Sequence, residues 1–239
     1  MKLKRFSEYI VHEDEHLIAI NKPAMISSLN DRIGDQPSIQ HLAQDYLASA
    51  QLCHRLDKET SGILLIAKNP ETYREMSIKF EKREIEKTYW AISDGRHYFK
   101  NTTVDTPLSV SSRGRAKVDK RDGKPAETDF SVIETFKNFC LIECKPLTGR
   151  LHQIRIHLAT QNASISGDVI YGGDPPYLKS IKKNYNPPTH EEPRPMISRT
   201  ALHAESVSFD LYGKSFNIKA PLPKDMAVFL KLLRKYDHE

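Results

Sequence analysis

HRLDKETSGILLIA, residues 54–67, sets a charged turn directly against an apolar run. His54, Arg55 and Asp57 crowd the turn, while Ile63, Leu64, Leu65, Ile66 and Ala67 carry no polar side chain. The run is too short for a helix and is bounded by Gly62 and Asn69-Pro70, so it reads as a buried strand. A carboxylate at the mouth of such a strand is expensive to hold there unless it has a partner or a task.

Upstream, residues 9–23 read as two short strands around an acidic turn, closed by Pro23. Ile39, Leu42, Ala43, Tyr46 and Leu47 have helical spacing, with Pro37 near the first turn. Downstream, Asn69 and Pro70 read as N-cap and first position of a second helix that buries Tyr73, Met76 and Phe80. Residues 87–92 are strand-like, and residues 128–132 and 139–144 alternate as antiparallel neighbours. Leu151, Ile154 and Leu158 carry helical spacing, although Ile154, Ile156 and Leu158 also alternate as in a strand. Thr148 as N-cap favours the helix. Two late strands flank a turn at Tyr212-Gly213, and a last helix buries Met226, Phe229, Leu230 and Leu233. Strands on hairpin-length links, with helices between runs, predict an α+β fold on a largely antiparallel mixed sheet. No repeat or composition shift marks a boundary. A single domain over 1–239 is expected, with an irregular excursion at about 172–198 that holds six prolines.

Hydrophobic residues at 38% and charged residues at 28% are ordinary for a globular chain and exclude wholesale disorder. No apolar run reaches the roughly 20 residues of a membrane span. The basic start MKLKR is not followed by a signal region, so a cytoplasmic protein is expected. Three cysteines, Cys53, Cys140 and Cys144, make no disulfide framework. The net charge of +5 is concentrated at residues 113–124, RGRAKVDKRDGK, which reads as a solvated loop or a polyanion grip.

Three stretches join polar groups to apolar flanks: HRLD at 54–57, EKTY at 86–89 and TGRLHQIRIH at 148–157. Taken alone, Asp57 fits a turn cap, Tyr89 a core aromatic and Arg155 a surface arginine. His54, His152 and His157 lack metal-site spacing, Cys140 and Cys144 read as core, and no phosphate-binding glycine motif occurs, so no metal or cofactor is expected.

HRLDKETSG, EKTYWAI and LTGRLHQIRIHLA, in that order, closely resemble the RluA class of RNA pseudouridine synthases. YIVHEDEHLIAINKPA, GKPAETDF, ISGDVIYGG and ALHAESVSF extend the resemblance over most of residues 9–222. One departure is Met25, where the family usually has glycine. The S4 RNA-binding domain that often precedes this domain is expected to be absent.

The resemblance implies a pseudouridine synthase fold, with helices and loops around a central RNA-binding cleft, and a cofactor-independent isomerase. Its substrate would be uridine in a loop of ribosomal or transfer RNA, with no obligate protein partner. By similarity Asp57 is the catalytic carboxylate, attacking base or sugar or taking a proton from the sugar, and Arg155 is the cation that keeps it ionised. Tyr89 matches the active-site tyrosine, and Arg55 the arginine that fills the space left by the flipped base. Arg150, His152 and Gln153, with Arg113, Arg115 and Lys117 of the basic loop, are expected to contact RNA. Leu56, Thr60 and Ser61 hold the Asp57 turn, and His54 is structural. A non-catalytic RNA binder would normally have lost Asp57, Tyr89 or Arg155. A glycoside hydrolase needs two carboxylates at one site, where the motif supplies one.

Overall fold

The computed structural model describes residues 4–30, 37–111, 114–183, 185 and 192–238. Arg113 and part of the proline-rich excursion lie outside them. A 3-10 turn (Phe6–Tyr9) leads into β1 (Ile10–Glu13) and β2 (Leu17–Lys22). Asp14 shapes their turn, its Oδ1 accepting from the backbone N–H of His16 and of Leu17, each at 2.8 Å. Helix α1 (Ile39–Tyr46) starts at Ser38, whose hydroxyl accepts from His41 N. Its Ile39 and Ala43 are buried, while Tyr46, expected on that face, is exposed. β3 (Gln51–Leu52) and β4 (Ser61–Ala67) precede α2 (Pro70–Glu81). Asn69 caps α2 as expected, its side chain accepting from Thr72 N at 2.8 Å. The buried stripe of α2 runs through Thr72 and Met76, which leaves Tyr73 turned about 100° towards solvent rather than buried.

β5 (Glu86–Asp94), β6 (Thr102–Asp105), β7 (Leu108–Val110), β8 (Ala116–Val118), β9 (Glu127–Thr135) and β10 (Phe139–Pro146) follow in succession. Then come α3 (Gln153–Thr160), a short α4 (Leu178–Ile181), β11 (Leu202–Leu211), β12 (Lys214–Lys219) and α5 (Lys224–Tyr236). The sequence carries no mark of the division that the contacts make: the chain forms two compact units, residues 1–88 with 203–221, and residues 89–202 with 222–239.

In the first unit the strand order is β1-β2-β4-β11, with β3 also on β4 and β12 on β11. Every residue of β4 is buried, which is why its sequence is an unbroken apolar run instead of an alternation. It runs antiparallel to β2 and β3 and parallel to β11, pairing Ser61 with His203 and Gly62 with Ala204. Gly62 has φ +114°, and a Cβ there would lie 2.1 Å from the Ala204 carbonyl oxygen. Both the backbone conformation and the close approach demand glycine. Leu17, Ile63, Leu65, Met76, Val207 and Phe209 form this unit's core.

The second unit is built on the antiparallel order β5-β10-β9-β6, with β7 and β8 as a separate hairpin. Phe130, Ile142 and Cys144 pack in one core with Ile154 and Leu158 of α3 and with Met226, Phe229, Leu230 and Leu233 of α5. All four expected α5 positions are buried, as are Cys140 and Cys144. The fold is α+β on a mixed, mostly antiparallel sheet. Among the described residues no helix is long and apolar enough to cross a membrane, and no group of three or more His, Cys, Asp and Glu gathers to hold a metal.

Candidate active site

In the first unit, the loop that carries Asp57 is tied down on both sides. Leu56 is buried, and Ser28 grips its backbone twice: the serine hydroxyl donates to Leu56 O at 2.7 Å and accepts from Leu56 N at 3.0 Å. Thr60 N donates to Asp57 O at 3.1 Å and closes the turn. On the other side, Lys58 O accepts from Met25 N at 2.7 Å and lies 3.4 Å from the Lys22 ammonium. Lys22 is fully buried and also donates to Pro23 O at 3.0 Å and Ile26 O at 2.9 Å. A buried ammonium is costly unless its donors are met; here three carbonyls meet it and join two loops. Sequence reading missed Lys22. The available signal was a lysine ending an otherwise apolar strand. Between these ties Asp57 is half-buried and Arg55 exposed.

Met25 has φ +68° and is 52% exposed. The chain keeps the left-handed conformation natural to glycine and accepts the side-chain strain, because Met25 N is needed by Lys58 O. Ser61, below the turn, is fully buried with its Oγ 2.9 Å from His203 Nδ1. His54 Nε2 accepts from Leu65 N at 3.0 Å, and its ring packs on Phe80 with centroids 5.0 Å apart. Burial, with the Lys87 cation adding to it, pushes the His54 pKa down to about 3. A neutral ring that accepts from a strand amide is a structural group, as expected.

The second unit holds Tyr89 and Arg155. Tyr89 stands on β5 opposite Cys144 of β10, half-buried against the core of this unit. The GRLHQIRIH segment forms a helix as expected, but it starts at Gln153 with His152 as N-cap in a left-handed conformation, φ +52°. Thr148 is therefore not the cap. Its hydroxyl instead donates to Gln153 Oε1 at 2.7 Å and accepts from Glu127 N at 3.0 Å.

Gln153 is among the expected RNA contacts; the structure gives it a framework role. It is 4% exposed. Its Nε2 donates to Glu127 O and Thr128 Oγ1, each at 2.9 Å, and its Oε1 also accepts from Arg150 N at 3.0 Å. Amide donors and acceptor are thereby committed inside the protein. The chain of bonds continues through Thr128 Oγ1 to His157 Nδ1 at 3.0 Å and from His157 Nε2 to Thr106 O at 3.0 Å. Burial lowers the His157 pKa and favours the neutral ring this relay requires.

Arg155 is 4% exposed and Asp168 1%, so the reading of Arg155 as a surface arginine is overturned. Nε donates to Asp168 Oδ2 at 2.6 Å and Nη2 to Oδ1 at 2.7 Å, a bidentate pair that fixes the guanidinium in its own plane. The Tyr171 ring lies 5.1 Å from Cζ. Asp168 stands in ISGDVIYGG, legible in sequence only as a turn, so its partnership was missed. Arg150 is exposed, its Nε donating to Pro125 O at 3.1 Å. His152 is half-buried with Nδ1 2.9 Å from the Tyr171 hydroxyl. Arg115 and Lys117 are exposed on and beside β8. The candidate residues thus fall in two groups, Arg55 and Asp57 in the first unit, Tyr89, Arg115, Lys117, Arg150, His152 and Arg155 in the second.

Residues 16–160 match the family model described as RNA pseudouridylate synthase. The chain is 33% identical over 239 residues to a ribosomal large subunit pseudouridine synthase D of Zymomonas mobilis, covering 94% of this chain and 72% of that protein. It is 32% identical over 219 residues to the dual-specificity RNA pseudouridine synthase RluA of Escherichia coli, covering 89% and 92% respectively. The fold matches the solved human RNA pseudouridylate synthase domain containing 4 with a TM-score of 0.71 at 23% identity, covering 96% of this chain and 94% of that one. With these matches spanning both the Asp57 loop and the α3 segment, the chain belongs to the RNA pseudouridylate synthase family, among enzymes of the RluA class.

Proposed function

We propose that the enzyme converts uridine in a loop of ribosomal RNA to pseudouridine through Asp57. The glycosidic N1–C1′ bond breaks, the uracil turns, and C5 bonds to C1′. The C5 proton is lost, and N1 carries one in the product. Atoms and electrons balance within the nucleotide, so the chain's own side chains suffice. Asp57 acts as the carboxylate at the detaching base or sugar. Arg155 serves as the motif's cation, and Tyr89 stacks on the uracil with its hydroxyl assisting proton removal from C5. Arg55 takes the place of the flipped nucleotide, a step that costs a few kcal/mol and less in a loop than in a duplex. Arg115, Lys117 and Arg150 grip phosphates, as in a cytoplasmic enzyme meeting its RNA substrate, and binding weakens steeply with salt.

One observation carries this reading: Asp57 sits half-buried on a turn whose two neighbours, Leu56 and Lys58, are both hydrogen-bonded to the segment that closes β2, Leu56 to Ser28 and Lys58 to Met25 and Lys22. A turn cap needs no such double anchorage, whereas an attacking group must be aimed. Tritium release from RNA labelled at uridine C5 tests it. Asp57→Asn is expected to abolish release while RNA binding persists; release near the wild-type level from Asp57→Ala would overturn it. Wild-type protein that binds RNA yet releases nothing across ribosomal and transfer RNA pools would identify a binding protein.

A further inference from the structure

We propose that Tyr171 is a positioning residue that couples the RNA-gripping hairpin β7–β8 to the orientation of Arg155. This rests on the function proposed above. Tyr171 lies at the end of the turn that begins at Asp168, with Tyr171 N donating to Asp168 O at 3.1 Å. The same short turn therefore supplies Arg155 with two supports of different direction. The Asp168 carboxylate holds the guanidinium edge, and the Tyr171 ring stands 5.1 Å from Cζ as a cation–π partner.

The phenol group reaches the other way. Its hydroxyl donates to Ala116 O at 3.1 Å, and Ala116 on β8 lies directly between Arg115 and Lys117. With its one proton so used, the oxygen accepts from His152 Nδ1, 2.9 Å away, which fixes the Nδ1–H tautomer of that imidazole. The His152 ring meets the Tyr171 ring edge-on, with centroids 5.6 Å apart and an interplanar angle of 82°. His152 is also the left-handed N-cap of the helix that carries Arg155. Leu108 of β7 and Ile156 of α3 pack in the same apolar cluster, against which Tyr171 lies. One side chain thus touches the hairpin backbone, the helix cap and the guanidinium. When phosphates pull on Arg115 and Lys117, the displacement reaches Arg155 through the Ala116 carbonyl and this phenol.

The experiment uses the full chain and an RNA carrying a modifiable uridine. Tyr171→Phe keeps the ring beneath Arg155 and removes only the hydroxyl bridge. It is expected to lower kcat/KM about tenfold, the scale set by losing one to two hydrogen bonds, with the loss falling more on KM than on kcat. Combined with Arg115→Ala and Lys117→Ala, it should add little, because the grip it transmits is already gone. Tyr171→Leu, which removes the ring as well, is expected to lower kcat further. Wild-type kinetics in Tyr171→Phe, or a loss that simply adds to that of the hairpin variants, would overturn the coupling. A wild-type enzyme that forms no pseudouridine would instead sink the proposed function. RNA affinity then reads the coupling directly: Tyr171→Phe should still bind less tightly than wild type, and equal affinity would overturn it.

Discussion

Arg155 and Asp168 meet edge to edge, two nitrogens on two oxygens at 2.6 and 2.7 Å, with both side chains closed off from solvent. Removing the charge of one partner leaves the other buried without this counter-ion. Asp168→Asn is expected to cost about 3–5 kcal/mol of stability and most of the activity. Arg155→Met combined with Asp168→Leu should recover much of the stability and none of the activity. Chemical denaturation beside a turnover assay separates the two effects; full activity in Asp168→Asn would show that the orientation of Arg155 does not matter.

Lys22 satisfies three carbonyls, those of Pro23, Ile26 and Lys58. Lys22→Met fills similar volume without donors, and each carbonyl left unmet costs about 1–3 kcal/mol. We expect a destabilised but foldable protein whose kcat falls because the Asp57 turn loses an anchor. Comparing kcat at saturating RNA with circular dichroism at the same temperature checks this. An unaltered kcat would mean that Ser28 and Met25 suffice.

Met25 holds a left-handed backbone at a cost of about 1 kcal/mol. Met25→Gly relieves that strain but loosens the unfolded chain, so the net change should lie between zero and about 1 kcal/mol in favour of the variant. Met25→Val, β-branched at φ +68°, should destabilise by more than 1 kcal/mol, on the order of 2. Urea midpoints at constant m decide the matter, and equal midpoints for glycine and valine would count against it.

His54 makes stability depend on pH. Its ordinary value of 6.5 is depressed to about 3 in the folded chain, so the unfolded state takes up a proton first. The stabilisation is complete above pH 6.5 and is lost as the pH falls towards 3, by up to about 1.4 kcal/mol per pH unit. Stability measured from pH 7 to 5, above the range where carboxylates titrate, should decline more steeply in the wild type than in His54→Gln, which keeps only the contribution of groups such as His157. Parallel profiles would show that the ring is not held neutral.

Much of the fold could be read along the chain because period and punctuation report local geometry. The unbroken apolar run at 63–67 is a strand buried on both faces, and Asn69-Pro70 starts a helix at the expected residue. Where the reading slipped, a tertiary partner had redirected a local preference. Thr148 has the chemistry of a cap, yet its hydroxyl serves Gln153 and Glu127, and the cap falls four residues further on, at His152, with the helix beginning at Gln153. Tyr73 has an aromatic ring to bury, yet the stripe that faces the sheet passes through Thr72 and Met76.

The sequence by itself determined the family and the order of the longer elements, since each depends on residues close together along the chain; β3, β6, the β7–β8 hairpin and α4 were not legible in it. Only the tertiary structure decided which polar side chains are framework: Gln153 buried in a saturated network, Lys22 on three carbonyls, Asp168 on Arg155. A hydrogen bond requires two groups to meet within about 3 Å, and for residues 13 or 36 positions apart that meeting is made by folding, not by spacing.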